Sequence, residues 1–541
     1  MIQNTLRIWI LVLIIMVSGM FFTFADEALS EEYLAFDFTG SLTGDWDYPM
    51  LAGQPDPKSF YDEERGAMDY RSPWFDLLID WGMMNDGKYN AEEKYFGGRY
   101  FAMHDTRIDI HDPDDKFTFT AGRDPHKDVV DSPYSVFINS TDIPAFHIEL
   151  SYKNDFFFYT TRWVQLTSNS KYQYLDDETI NPFLDSLSGT SPYDNWTSTY
   201  TGEWLDKGAN FKTYGINLDT WRIGFQDVVI YINRPFDPEY FFNPMPQYFV
   251  QIINTTVGRP WSQTGNAKSY MGFFTDRTEA HNYFAVQILM DDLNASFFPG
   301  FDQSSAIKTK MAWSISGWKD FDFGRIGLYH GGATKYTFEA TYTAHHYNTY
   351  SGDPGFIAIP YSIFPYEATY VPAAEYMTED GEHMAIDYTE NYLSYKYGEN
   401  NLAFMVDYQN LFFSKTFYEF GLYSSLEWVL NGAKSPANPW HEYGSGVQTE
   451  EKVVLLDGTV ENLIRLSTAI RKPLGKSFIL NLDIIAGLAI NAMKLVAVDP
   501  VYTDEVVYTG WDEPKIYMPQ AGLVEPIFKL TIGGTWHLQV K

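Results

Sequence analysis

A chain of 541 residues has room for two or three soluble domains or one large barrel, and its lack of cysteine excludes a disulfide framework and a thiolate metal site. The formal charge of -33 repels nucleic acid and other polyanions, so no nucleic-acid partner is expected. Mean hydropathy is slightly polar, and beyond the N-terminus no apolar run is long enough for a membrane-crossing helix, which excludes a helical membrane protein but not a membrane β-barrel.

The chain begins "MIQNTLRIWILVLIIMVSGMFFTFADEALS", with Arg7 ahead of an uncharged stretch from Ile8 to Phe24 and Thr23-Phe24-Ala25 before acidic residues. That pattern predicts a secretory signal peptide over 1–25 and a mature chain, 26–541, of net charge near -34 once Arg7 is lost. A first strand is expected at "YLAFDFTGSL". In "SPWFDLLIDWGMM", Ser72 is placed to cap a helix with Pro73 at its first position, and Trp74, Leu77, Leu78 and Trp81 fall on one helical face. This helical insertion lies within a connection from 47 to 98, read as a plug or lid that restricts the pore.

From residue 99 onward alternating strands pair through short turns. "RYFAMHDTRIDIH" and "KFTFTAGRD" flank 112–115, "AFHIELSY" and "FFFYTTRWVQL" flank 153–155, and "NFKTYGINL" and "WRIGFQDVVIYI" flank Asp219-Thr220. Further strands are expected at "YFAVQILM", "IKTKMAWSISGW", "FGRIGLYHG", "TKYTFEATYTA", "HMAIDYTENYLSYKYG", "NLAFMVDYQN", "KTFYEFGLYSSLEWVL", "GVQTEEKVVLL", "ENLIRLSTAIRK" and "SFILNLDIIAGLAIN". The closing strand, "PIFKLTIGGTWHLQVK", carries Phe528, Leu530, Ile532, Trp536 and Leu538 on one face and Lys529, Thr531, Thr535 and His537 on the other. The sum predicts an all-β, transmembrane antiparallel β-barrel of about 18 strands, within 16–20. Tight turns near 112, 154, 219 and 398 alternate with longer segments at 124–144, 167–208, 233–281 and 345–383, as in bacterial outer-membrane barrels with both termini in the periplasm.

Two stretches resemble the Wzi-like capsule assembly proteins. "GRDPHKDVVDSPYSVFINSTDIPAFHIELSY" sets Gly-Arg-Asp at a strand end, then a loop rich in Ser and Asn, then a strand start. "VVIYINRPFDPEYFFNPMPQYF", followed by "FAVQILMDDLN", gives a strand, an aromatic loop with Asn243-Pro244 and a strand closing on Asp291-Asp292. The resemblance spans roughly 100–300 in landmarks and the rest as barrel architecture alone. It implies an outer-membrane barrel, occluded rather than open, that binds surface polysaccharide and helps assemble or anchor a capsule. The barrel-assembly machinery and outer-membrane lipid are then expected partners, although the chain ends on Lys541, with the aromatic Trp536 five residues back.

Polysaccharide recognition needs flat rings for sugar C–H faces and fixed donors for hydroxyls. The long loops offer Tyr240, Tyr248, Trp261, Trp440 and Tyr443 as rings and Arg234 and Arg259 as donors, though aromatics also collect in the interface girdles of any barrel. Arg123, Asp124, His126, Lys127 and Asp128 read as a lumen salt-bridge network rather than a catalytic site, and Asp291 and Asp292 as a strand-end or plug contact. No cofactor is expected beyond weakly held calcium on loop carboxylates such as Asp185, Asp194, Asp237, Glu239 and Asp353. No GxSxG, HExxH or GxxxxGK[ST] motif marks an enzyme. The rival function is a general or sugar-selective porin, which the same girdle and alternation fit.

Overall fold

The computed structural model describes residues 33–48, 60–85, 97–125, 127–138, 144–167, 207–232, 236–255, 267–292, 309–335, 337–338, 376–377, 383–384, 394–410, 420–434, 453–475, 477–497 and 515–540. The signal sequence and residues 49–59 and 86–96 of the expected plug lie outside these.

Period-two alternation builds the wall. The chain runs β1 (Tyr33–Tyr48), β2 (Phe60–Arg71), β3 (Phe75–Met84), β4 (Tyr100–His111), β5 (Phe117–Pro125), β6 (Pro144–Lys153), β7 (Phe157–Thr167), β8 (Lys207–Leu218) and β9 (Trp221–Ile232). Two helices follow, α1 (Pro238–Phe242) and α2 (Gln247–Thr255), then β10 (Ala267–Glu279), β11 (Asn282–Asp292), β12 (Lys310–Phe321) and β13 (Gly324–Ala333). Two-residue strands β14 (Tyr376–Met377) and β15 (His383–Met384) precede β16 (Asn401–Gln409), β17 (Gly421–Asn431), β18 (Glu461–Pro473) and β19 (Phe478–Ile490). Short β20 (Met493–Ala497) and β21 (Lys515–Pro519) lead to β22 (Val524–Val540). Each wall strand pairs antiparallel with the next, β13 bridges to β16 and β19 to β22, and β22 returns to β1, so 18 strands close a ring without a free edge. The strands β14–β15 and β20–β21 form two small ribbons apart from the ring.

The membership of the ring differs from the expectation even though the number agrees. Strands β2, β3 and β10 stand in the wall where connections were expected. Conversely, 334–335, 337–338, 394–400 and 453–460 are not strand, so "TKYTFEATYTA", "HMAIDYTENYLSYKYG" and "GVQTEEKVVLL" supply no wall strand.

Ser72 starts no helix. Its hydroxyl accepts the Phe75 N–H at 3.1 Å and donates to the Phe75 carbonyl at 2.8 Å, closing a hairpin turn between β2 and β3. Phe75, Leu77, Ile79, Trp81 and Met83 then point outward at period two, and Asp80 points inward to receive Arg65. The segment expected to plug the pore is therefore, over Phe60–Met84, part of the wall.

Two faces follow from the alternation. Along the outer face, Leu328, Leu426, Trp428, Leu466, Ile532 and Trp536 are exposed as an apolar belt; the opposite parity carries Glu427, Arg465, Asp483 and Thr531. The closing strand matches its expected orientation, with Trp536 51% exposed on the belt. Short turns, among them Asp219-Thr220 with Asp219 at φ 57°, occupy one end of the ring together with the start of β1 and the end of β22. Long connections occupy the other, and residue 398, expected in a tight turn, lies at this long-connection end, since Asn401 opens β16 opposite Ala333.

The helices α1 and α2 interrupt the belt. Lys212 and Asp227 share the outward parity of exposed Ile223 and Phe273, yet each is only 1% exposed. The Lys212 ammonium donates to the carbonyls of Asn243 and Met245, and Asp227 accepts the Gln247 N–H at 2.6 Å. The helical pair thus packs against the outside of β7–β10 at the long-connection end.

Candidate functional site

Between β5 and β6 the chain turns into the lumen, and residues 127–138 lie against the inward faces of strands far round the ring. Asp128 organises the entry: its carboxylate accepts the N–H groups of Val129, Phe137 and Ile138 and the side-chain amides of Gln226 and Gln287, which ties both ends of the segment to β9 and β11. Further in, Ser132 exchanges hydrogen bonds with Ser314 and Ser316 on β12, and the Val136 N–H donates to Gln287. Gly331 on β13 admits the close approach, because a Cβ there would sit 2.7 Å from that of Tyr134. Tyr134, Val136 and Phe137 are essentially fully buried.

The far anchor is Glu427 on β17, which lies eight strands from β5 one way round the ring and ten the other. Its carboxylate accepts the hydroxyls of Tyr134 and Tyr397, both at 2.7 Å, and pairs with Lys396 at 3.1 Å and Arg465 at 2.6 Å. Tyr395 and Tyr397 pack on Tyr134, so a second inward segment, 394–400, is fastened to the first. Burial, reinforced by Glu427, holds the Tyr134 hydroxyl far above the usual tyrosine range, so it stays a donor. Burial also pulls the Lys396 ammonium down, and the attraction of Glu427 opposes that pull. The node joins two largely buried cations to one buried carboxylate, and removing that carboxylate takes from both cations the anion they pair with among the described residues.

Toward the short turns the inward face of β3–β7 is polar and surrounds a cavity of about 380 Å³. Arg107 bridges Asp105, Asp109 and Asp124, Asp124 reaches His147 Nδ1 at 2.9 Å, and Arg162 pairs with Glu149. Arg162 also donates to the Lys127 carbonyl, joining this strip to the inserted segment. Asp124 and Asp128 of the "GRDPHKD" stretch therefore serve in a lumen network, as its composition suggested, and Asp291 accepts the Phe338 N–H at 3.0 Å as a contact between a strand end and a connection.

Of the sequence-derived sugar contacts, the two within the described residues, Tyr240 and Tyr248, do not line this lumen. Tyr240 is 2% exposed and stacks on Tyr231 with ring centroids 5.6 Å apart, so it packs the helical insertion rather than offering a platform. Tyr248 is exposed, but on α2 outside the barrel. Asp237 caps α1 by accepting the N–H groups of Glu239 and Tyr240, which removes it from the proposed calcium ligands. Trp261, Trp440, Tyr443, Arg234 and Arg259 lie outside the described residues, as do Asp185, Asp194 and Asp353. Period and composition marked aromatic loops without showing which one folds inward. The available signal was the unusual run of small polar residues and buried-type aromatics in "DVVDSPYSVFI", directly after a strand.

At the long-connection end, Lys434 donates to the carbonyls of Tyr397 and Glu399. Burial pulls its ammonium down to about 8, against the raising influence of Glu399 and Glu461. Between about pH 8 and the ordinary lysine value near 10.4, the unfolded chain holds this proton and the folded chain does not, so the Lys434 contribution to stability rises with pH across that window. The stability of the wild-type chain relative to Lys434→Met is expected to increase by about 2–3 kcal/mol from pH 8 to pH 10.5 in parallel unfolding titrations. A difference independent of pH would show that the ammonium is hydrated in the folded chain.

No family model and no curated protein matches this sequence. Among solved structures, the chain is similar to Wzi, an outer-membrane protein of Escherichia coli involved in group 1 capsule assembly and a carbohydrate-binding β-barrel, with 9% identity over 92% of this chain and 83% of that one and a TM-score of 0.45. It is also similar to OccAB4 of Acinetobacter baumannii, at 8% identity over 94% of this chain and 99% of that one with a TM-score of 0.42. OprD, an outer-membrane protein of Pseudomonas aeruginosa, shows 8% identity over 94% of each chain and a TM-score of 0.39. These likenesses concern barrel architecture and nothing finer.

Proposed function

We propose that this protein is a bacterial outer-membrane barrel that binds surface polysaccharide and helps hold a capsule on the cell, with a lumen narrowed by its own chain. The observation that carries the reading is the segment 127–138, tied to β9, β11, β12 and β17 by a buried network. A segment fixed across the interior works against free passage, whereas a barrel that presents its outer loops to a polymer gains rigidity and a sealed membrane from it. The sugar contacts are then proposed on the long connections, at Trp261, Trp440, Tyr443, Arg234 and Arg259. With a net charge of -33, the polymer is neutral or weakly charged, or is bridged by calcium.

A porin reading has its own support in the cavity of mixed charge below the insertion, which would suit small polar solutes. Planar-bilayer recordings combined with glycan binding separate the two. The wild-type chain is expected to conduct little and to bind neutral glycan saturably, and replacement of 129–137 by a short glycine–serine linker is expected to raise single-channel conductance severalfold. Large stepwise conductance of the wild-type chain without glycan binding would overturn the polysaccharide reading in favour of the porin.

A further inference from the structure

The helix α2 is built inside out for a helix in water. Its buried face is largely polar: beside the buried Val250, Gln247 is fully buried and donates to Asp227 Oδ1 at 3.1 Å and to the Asn210 carbonyl at 3.0 Å, and Gln251 donates to the Ala267 carbonyl and accepts the Ser269 hydroxyl. Its outward face is aromatic, with Phe249 53% and Tyr248 39% exposed. Phe242, at the end of α1, and Met245, between the helices, extend that face. An amphipathic helix docked on a protein in water buries its apolar side and shows its polar one; the reversed order is stable where the surrounding medium is itself apolar.

The surroundings fit that medium. Immediately toward the short turns from the insertion, Phe225, Phe273 and Ile223 continue the same outward surface as part of the lipid-facing belt, and Tyr214 closes the junction by donating to the Pro244 carbonyl at 3.0 Å. Over 236–255 the only charged residues are Asp237, used as a helix cap, and Glu239, so this stretch itself brings no basic residue to the outward patch and little charge of the kind that would set the register of a protein partner. Lys212 and Asp227 would be costly on a lipid-facing wall, and the insertion satisfies them while presenting an apolar surface in their place; it also covers Asn210, whose side-chain oxygen accepts the Tyr231 hydroxyl of β9.

We propose that α1 and α2 form a lipid-embedded collar, with Phe242, Met245, Tyr248 and Phe249 lying among the acyl chains at the long-connection border of the membrane. The collar widens the apolar circumference over β7–β10 and anchors the barrel at that depth, independently of what the outer loops bind.

The absence of cysteine makes the test direct. Phe249→Cys and, in a separate chain, Met245→Cys carry a nitroxide label in the full-length protein reconstituted into phosphatidylcholine vesicles. Ile532→Cys serves as a belt reference and Thr531→Cys as a lumen reference. Oxygen, which partitions into lipid, is expected to relax both collar labels more strongly than a water-soluble nickel chelate, with the oxygen-to-nickel ratio of the Ile532→Cys label. A ratio like that of the Thr531→Cys label would place the patch in water and overturn the proposal. Dipolar broadening between labels that vanishes on dilution with unlabelled chain would show a second copy covering the patch, and would overturn it equally.

Discussion

Glu427→Ala is expected to destabilise the barrel by about 3–5 kcal/mol and to loosen both inward segments at once. The substitution removes the one anion that pairs with Lys396 and Arg465 among the described residues, and withdraws the acceptor from the hydroxyls of Tyr134 and Tyr397. Four groups lose this acceptor, the tyrosine hydroxyls in the buried core and the two cations largely buried, so the loss exceeds that of an exposed ion pair severalfold. Glu427→Gln keeps an acceptor for the tyrosines but loses the charge, and should fall between wild type and Glu427→Ala. Denaturant titration of the three chains in detergent gives the order, and bilayer recordings should show conductance rising in the same order. A loss below about 1 kcal/mol for Glu427→Ala would mean that the node is hydrated and that the inserted segment is held elsewhere.

Ile532→Arg is expected to cost about 2–4 kcal/mol, and Thr531→Arg much less. Ile532 sits midway along β22 on the outer face, opposite Gly44 of β1 and Leu482 of β19, where a guanidinium meets acyl chains. Thr531 points into the lumen opposite Asp483 of β19, so an arginine there finds a carboxylate and water. Refolding titrations into lipid vesicles compare the two, and equal losses would mean that the faces of the closing strand are assigned wrongly.

The physical basis of these two predictions was legible in the sequence to different degrees. Alternation in "PIFKLTIGGTWHLQVK" and its counterparts marks a strand with lipid on one side, and it was enough to give the barrel and its size. The agreement in strand number nevertheless conceals compensating errors, because three wall strands were missed and three were assigned to connections. The sequence of β2, "FYDEERGAMDYR", has carboxylates on both parities near its long-connection end, which erases the alternation there. In β3, Leu78 is apolar on the lumen side, and with Trp74, Leu77 and Trp81 it imitates a helical period. β10 follows directly on an aromatic connection whose composition differs little from its own.

The site was less legible than the fold. Which loop turns inward depends on matching partners such as Asp128 with Gln226 and Gln287, or Tyr134 with Glu427, separated by roughly 100 to 300 residues, and no local pattern encodes that match. Both stretches that carried the family resemblance became architectural departures from a plain barrel: one is the segment inside it and the other the helical collar outside. The collar also explains why Tyr240 was misread. A buried tyrosine stacked on Tyr231 and an exposed loop tyrosine have the same sequence context, and only the fold separates them.

The pairing of β1 with β22 sets a timetable for assembly. Asp37 meets His537 at 3.0 Å across 500 residues of chain, so the seam is the contact of greatest separation that the ring contains, and every other wall pairing can form before it. Until β22 arrives, β1 and β19 each carry a row of unsatisfied backbone N–H and C=O groups, which hydrocarbon does not tolerate and which would template pairing with any neighbouring chain. The ring therefore has no stable partial form in the bilayer. A sheet of this length must be sheltered, in register, until its last strand is threaded beside its first, and the rate of that one event governs how fast the finished wall can appear.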